Sequence, residues 1–94
     1  MELSELLDRL AELAREAGLQ VRELRAGGEG DPSPASGVCR VRGETWVLLS
    51  ASDGLERRVE VLARALKSHA GHLLEGRYLP PAVRERLSKP PDLG

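Results

Sequence analysis

His69 and His72 are the only histidines in the chain, and they lie three residues apart. On an uninterrupted helix that spacing puts both imidazoles on one face, within reach of a shared metal ion. Two ligands do not make a site. Helical metal pairs more often use a spacing of four with a third ligand elsewhere. Here the third donor would have to be Glu75, Cys39 or Asp53. Gly71, between the two histidines, also weakens the helix that would align them. The expectation is therefore two solvated histidines near a helix end, where a positive charge suits the helix dipole. Metal binding through His69 and His72 is kept as an alternative, and no cofactor is expected.

Other constellations are equally incomplete. Cys39 is the only cysteine, so neither an intramolecular disulfide nor a cysteine zinc cluster can form. A small hydrophobe in the interior is its ordinary role, and a Cys39–histidine pair is the catalytic alternative. Ser50, Ser52 and Ser68 lack the Gly-x-Ser-x-Gly turn of a nucleophile elbow. Gly27, Gly28 and Gly30 suggest a phosphate loop, but no Lys-Ser or Lys-Thr follows them. Arg40 and Arg42, with Arg57, Arg58 and Arg64, could form a basic patch for phosphate, nucleic acid or an acidic partner. Glu44, Glu56 and Glu60 are interleaved with them, as on a surface laced with ion pairs.

The elements that would position these groups follow from periodicity. Leu3, Leu6, Leu7, Leu10, Leu13, Ala14 and Ala17 recur at helical spacing, which predicts a helix over 3–17 closed by Gly18. Glu5 and Arg9 are spaced to support it. Leu19 to Leu24 suits a short strand. Ala26 to Gly37 is rich in Gly, Pro, Ser and Asp and reads as a loop. Alternation then predicts a hairpin over 38–50 turning at Gly43-Glu44, with Cys39 and Val41 on one face and Arg40 and Arg42 on the other. Val47 and Leu49 share one face of its second strand, and Trp46 and Leu48 share the opposite one. A strand apolar on both faces should be central or covered.

Ser52 or Asp53 is placed to cap the next helix, and the Asp53–Glu56 spacing matches a capping box. Leu55, Val59, Leu62 and Leu66 carry that helix over about 54–69. Pro81 opens a short C-terminal helix, about 81–87. Residues 1–88 then make one α+β domain, a small antiparallel sheet packed by two longer helices, and 89–94 form a tail.

The stretch Gly37-x-Cys39-x-Val41-x-Gly43, the strand Trp46–Ser50, Glu56-Arg57-Arg58 and the helix Leu62–Ser68 carry a resemblance. Together with Pro81–Arg84 they resemble a group of small uncharacterised bacterial proteins. The hairpin-then-helix part over 37–68 is also distantly similar to ImmA/IrrE-type metallopeptidases. On that alignment the two zinc-binding histidines fall on Arg64 and Ser68, and the catalytic glutamate on Ala65. The resemblance therefore implies a shared fold without peptidase chemistry.

Composition narrows the class further. The chain has 94 residues, 31% of them charged, with a net charge of −1. No global field draws it to phosphate polymers or anionic lipid. Trp46 and Tyr78 are its only aromatics, too few for a stacking platform for single strands. The start Met1-Glu-Leu-Ser-Glu lacks the basic and apolar pattern of a signal peptide, and the longest apolar run is Trp46 to Leu49. A cytoplasmic location is expected. Arginine outnumbers lysine twelve to two and asparagine is absent, which suits a thermophile or a GC-rich genome equally.

The function these features favour is a non-enzymatic protein-interaction module, expected as a homodimer or in a partner complex. Trp46, Leu48, Tyr78, Arg40 and Arg42 are its candidate contact residues, because isolated aromatics and arginines are enriched in interface centres. In this reading Trp46 points outward. In the competing one Trp46 faces the core and Val47 faces Tyr78 and Leu79. A small hydrolase-like or metal-dependent protein using His69, His72 and Cys39 is the alternative from another class. A phosphate or nucleic-acid adaptor acting through the arginine face is a third. No small-molecule ligand and no membrane partner is expected.

Overall fold

A computed structural model describes residues 1–24 and 36–88, apart from the side chains of His72 and Leu73. The glycines at 27, 28 and 30 and the expected tail at 89–94 lie outside the described residues. The chain is an α+β protein. Its elements are α1 (Leu3–Glu16), β1 (Gln20–Leu24), β2 (Gly37–Val41), β3 (Glu44–Ser50), α2 (Leu55–Leu74) and α3 (Pro81–Ser88).

Helix α1 forms because its apolar residues fall on one stripe, and Leu6, Leu7, Leu10, Ala11 and Ala14 are buried along it. Gly18 ends it in the left-handed region at φ 88°. The Gly18 N–H donates to the Arg15 carbonyl and the Leu19 N–H to the Ala14 carbonyl, which completes a Schellman cap. That cap turns the chain directly into β1. The expected Glu5–Arg9 pair is replaced by Arg9–Glu12 at 4.0 Å, with both side chains exposed.

Strand β3 is central, as an apolar pattern on both faces requires, and the sheet order is β1-β3-β2. The sheet is mixed rather than wholly antiparallel. β2 pairs antiparallel to β3 in the expected hairpin, whereas β1 lies parallel to β3 on its other side. The hairpin turn falls one residue earlier than the sequence suggests. Val41 pairs with Glu44, so Arg42 and Gly43 are the two turn residues. Their φ values of 50° and 82° are those of a type I′ turn.

Val47 and Leu49 are buried in one core with α1 and α2, so both helices cover that face of the sheet. Helix α3 buries Val83 and Leu87 in the same core. Helix α2 runs past its expected end at residue 69 or 70 to Leu74, with non-helical angles at Ala70. A backbone irregularity at the residue before Gly71 is where a sequence weakened by glycine yields.

Candidate functional site

Pairing registers decide which side chains share the sheet face opposite the helices. Trp46 lies beside Cys39 on β2 and Gln20 on β1, and Leu48 lies beside Gly37 and Arg22. Neighbours across a ladder point the same way. Trp46, Leu48, Cys39, Val41 and Arg22 therefore occupy one face, and no described helix or strand covers it. Trp46 and Leu48 lie on the face opposite the helices, yet both are half-buried there. Val47 is fully buried against the helices instead.

Trp46 is not a bare surface ring. The Arg22 guanidinium carbon stands 5.0 Å from its ring centroid, a cation–π contact. Its indole N–H is shielded from solvent and meets no acceptor. A buried donor left unmatched costs about 1–3 kcal/mol, so this face is polarly incomplete as well as apolar. Cys39 is exposed, not the buried hydrophobe that its type suggests. Val41 is 37% exposed and Val38, at the sheet margin, 42%.

The remaining candidates scatter. Tyr78 is 80% exposed, but it lies on the α2–α3 connection, on the helical side of the molecule. It lines a cleft with Leu13 of α1 and Val83 of α3, well apart from the Trp46 face. Arg40 and Arg42 do not share a strand face. Arg42 is a turn residue with positive φ, and Arg40 donates to the Gly43 carbonyl at 3.1 Å. Arg57 and Arg64 both pair with Glu60, at 3.5 and 3.4 Å. Arg58 donates to the Asp53 carbonyl at 3.1 Å. Arg40, Arg57, Arg58 and Arg64 are thus divided between separate local contacts, and Arg42 joins none of them.

His69 is exposed, and the irregular Ala70 separates it from His72, whose side chain lies outside the described residues. Cys39 lies on the sheet face turned away from α2, which carries His69, so these two are not brought together. Among the described residues no group of three His, Cys, Asp or Glu side chains could hold a metal ion. Arg64 and Ser68 are exposed on α2, and Ala65 is buried.

A polar cluster that the sequence did not announce ties the sheet to α2. The Ser36 N–H donates to the Asp53 carboxylate at 2.9 Å, and the Ser50 N–H donates to the Ser36 hydroxyl at 2.8 Å. Ser50 and Ser52 share a hydroxyl–hydroxyl bond of 2.7 Å. The Ala51 N–H donates to the Leu24 carbonyl at 2.8 Å, holding the end of β1 at the same place. Asp53 is therefore not a helix cap. The cap position is Gly54, with no side-chain hydrogen bond, because the Asp53 carboxylate is turned to Ser36. Hydrogen bonds from Ser36 hold the Asp53 carboxyl below its usual range against the opposing effect of burial, with lesser help from the charges of Arg57 and Arg58. The cluster pairs hydroxyls with one carboxylate and no histidine, so it supplies a tether rather than an activated nucleophile.

A groove of about 350 Å³ between α2 and α3 is lined by Leu74, Leu79 and Leu87 with Lys67 and Arg84. No helix among the described residues is long and apolar enough to cross a membrane. No protein-family model, curated protein or solved structure matches this chain.

Proposed function

We propose that the protein is a non-enzymatic interaction module of the cytoplasm, binding another protein through the open face of its sheet and the adjoining edge strand β2. One observation carries this reading. The face opposite the helices holds half-buried Trp46 and Leu48 beside exposed Cys39 and Val41, and no described helix or strand packs on it. Isolated apolar residues on a surface need no explanation. A contiguous patch centred on a tryptophan is the kind that marks a docking surface.

The test is a paired capture from native lysate. Leu48→Glu puts a charge into the middle of the face while leaving the buried Val47 and Leu49 side untouched. Wild-type protein is expected to capture a defined partner other than its own copies in stoichiometric amount. The variant is expected to lose that capture while remaining cooperatively folded at the assay temperature. Capture of another protein that survives the substitution, or neither capture nor self-association by the wild type, overturns the reading.

A further inference from the structure

The geometry points to a second copy of this chain as the partner of β2, paired antiparallel across a two-fold axis at Cys39. This rests on the interaction reading above and names the partner and register of its edge strand. β2 lies at the margin of the sheet. Around a two-residue turn, Val41 and Glu44 form a hydrogen-bonded pair, and bonded and non-bonded pairs then alternate along the ladder. Gly37, Cys39 and Val41 therefore direct their N–H and C=O groups at β3. Val38 and Arg40 direct theirs outward, where no described residue meets them. A free row of donors and acceptors is a template for another strand.

The sequence of β2 selects the register. With the axis at Cys39, all five residues pair. Gly37 lies opposite Val41 of the second copy, Val38 opposite Arg40, and Cys39 opposite itself. The two outward-facing residues then exchange hydrogen bonds with each other in both directions. An axis at Arg40 would set two guanidinium groups face to face, which is unfavourable. An axis at Val38 would run part of each strand past the other's end. At the Cys39 register the two exposed apolar residues of β2 both gain cover. Val41 meets Gly37, where a side chain would have open space, and Val38 meets the aliphatic stem of Arg40. The Arg40 head group is already held toward its own turn by Gly43. The dimer would be a six-stranded sheet with both helical layers on one side and both Trp46 rings on the other.

Five paired residues make a small interface, below the ~1,200 Å² typical of stable complexes. Association is therefore expected to be weak and concentration-dependent. Cys39 reports the register directly. Opposed residues in a non-bonded pair have Cα atoms about 4.5 Å apart, inside the disulfide range of about 4.4–6.8 Å.

The experiment combines sedimentation of the full reduced chain with cross-linking by diamide, which takes up two protons and two electrons as two thiols join. Wild type is expected to show a concentration-dependent dimer and a Cys39–Cys39 product. Val38→Pro removes an outward N–H that β3 does not use, so a folded chain is expected whose dimer is weakened at least ~10-fold. In a Cys39→Ser background, Gly37→Cys and Val41→Cys chains are expected to link to each other when mixed and not to themselves, a readout independent of the proline variant. A chain monomeric at every concentration, a dimer indifferent to Val38→Pro, or links in any other register overturns the inference. A monomer that still captures a different protein in a Leu48-dependent way sinks the second copy alone and leaves the interaction module standing.

Discussion

Arg42 is the residue whose replacement should reveal most about how β2 is held. Among the described residues it is the one non-glycine with positive φ, 50°, at the first position of the turn that joins β2 to β3. An L-residue with a Cβ costs roughly 1–2 kcal/mol in that region, and asparagine recovers part of this through local hydrogen bonding. The Arg42 side chain makes no hydrogen bond or ion pair with any described residue, so its removal brings no opposing loss. Arg42→Asn is therefore expected to stabilise the fold by ~0.5–1 kcal/mol. For a domain of this size 1 kcal/mol moves Tm by about 4–8 °C, so the gain is roughly 2–8 °C. Arg42→Gly relieves the same strain but adds ~0.5–1 kcal/mol of unfolded-state freedom, and should come out near wild type. Arg42→Val should destabilise, since a branched side chain tolerates the region least.

Urea unfolding followed by Trp46 emission is the assay, because the only tryptophan sits four residues after Arg42. The midpoint should rise for asparagine and fall for valine at constant slope. Equal midpoints for asparagine, arginine and valine would mean that the turn is not type I′. The bonding parity of β2, and with it the outward direction of Val38 and Arg40, would then be lost.

Two further substitutions probe the frame around this hairpin. Leu66 is fully buried between α2 and the rest of the core, so Leu66→Ala should cost ~2–5 kcal/mol by chemical denaturation; a cost below about 1 kcal/mol would mean that α2 does not pack as described. Asp53→Asn weakens the Ser36 tether and should also flatten the acid limb of the stability profile. Because the folded Asp53 carboxyl titrates below its unfolded value of 3.8, its contribution is complete above that value and is lost as pH falls through the folded pKa. Wild type and Asp53→Asn profiles that run parallel from pH 5 to pH 2 would refute the tether.

What the sequence disclosed was set by the range of the interactions involved. Helix α1, its glycine stop and the alternation of β3 are local patterns, and each is where periodicity puts it. The same alternation separates Val47 and Leu49 from Trp46 and Leu48. It therefore places the candidate face once the helices are known to lie on one side. The parallel pairing of β1 had no local signature. Neighbouring strands usually pair in sequence order, and nothing in Gln20–Leu24 distinguishes one edge of β3 from the other. The pairing is closed at a distance instead, by the Ala51 N–H on the Leu24 carbonyl, 27 positions apart. Asp53 shows the competition most plainly. Its spacing to Glu56 satisfies a capping box, yet the carboxylate serves Ser36, because the Ser36 N–H would otherwise be left without a partner at a buried position. Arg42-Gly43 was hidden for the opposite reason. The turn is local, but its first residue is a poor match for the conformation it adopts, and only the ladder of β2 on β3 forces it there. The features that bear on function, the half-buried tryptophan on the face opposite the helices and an edge of β2 that no described strand pairs, thus follow from local alternation for their residues and from distant hydrogen bonds for their orientation.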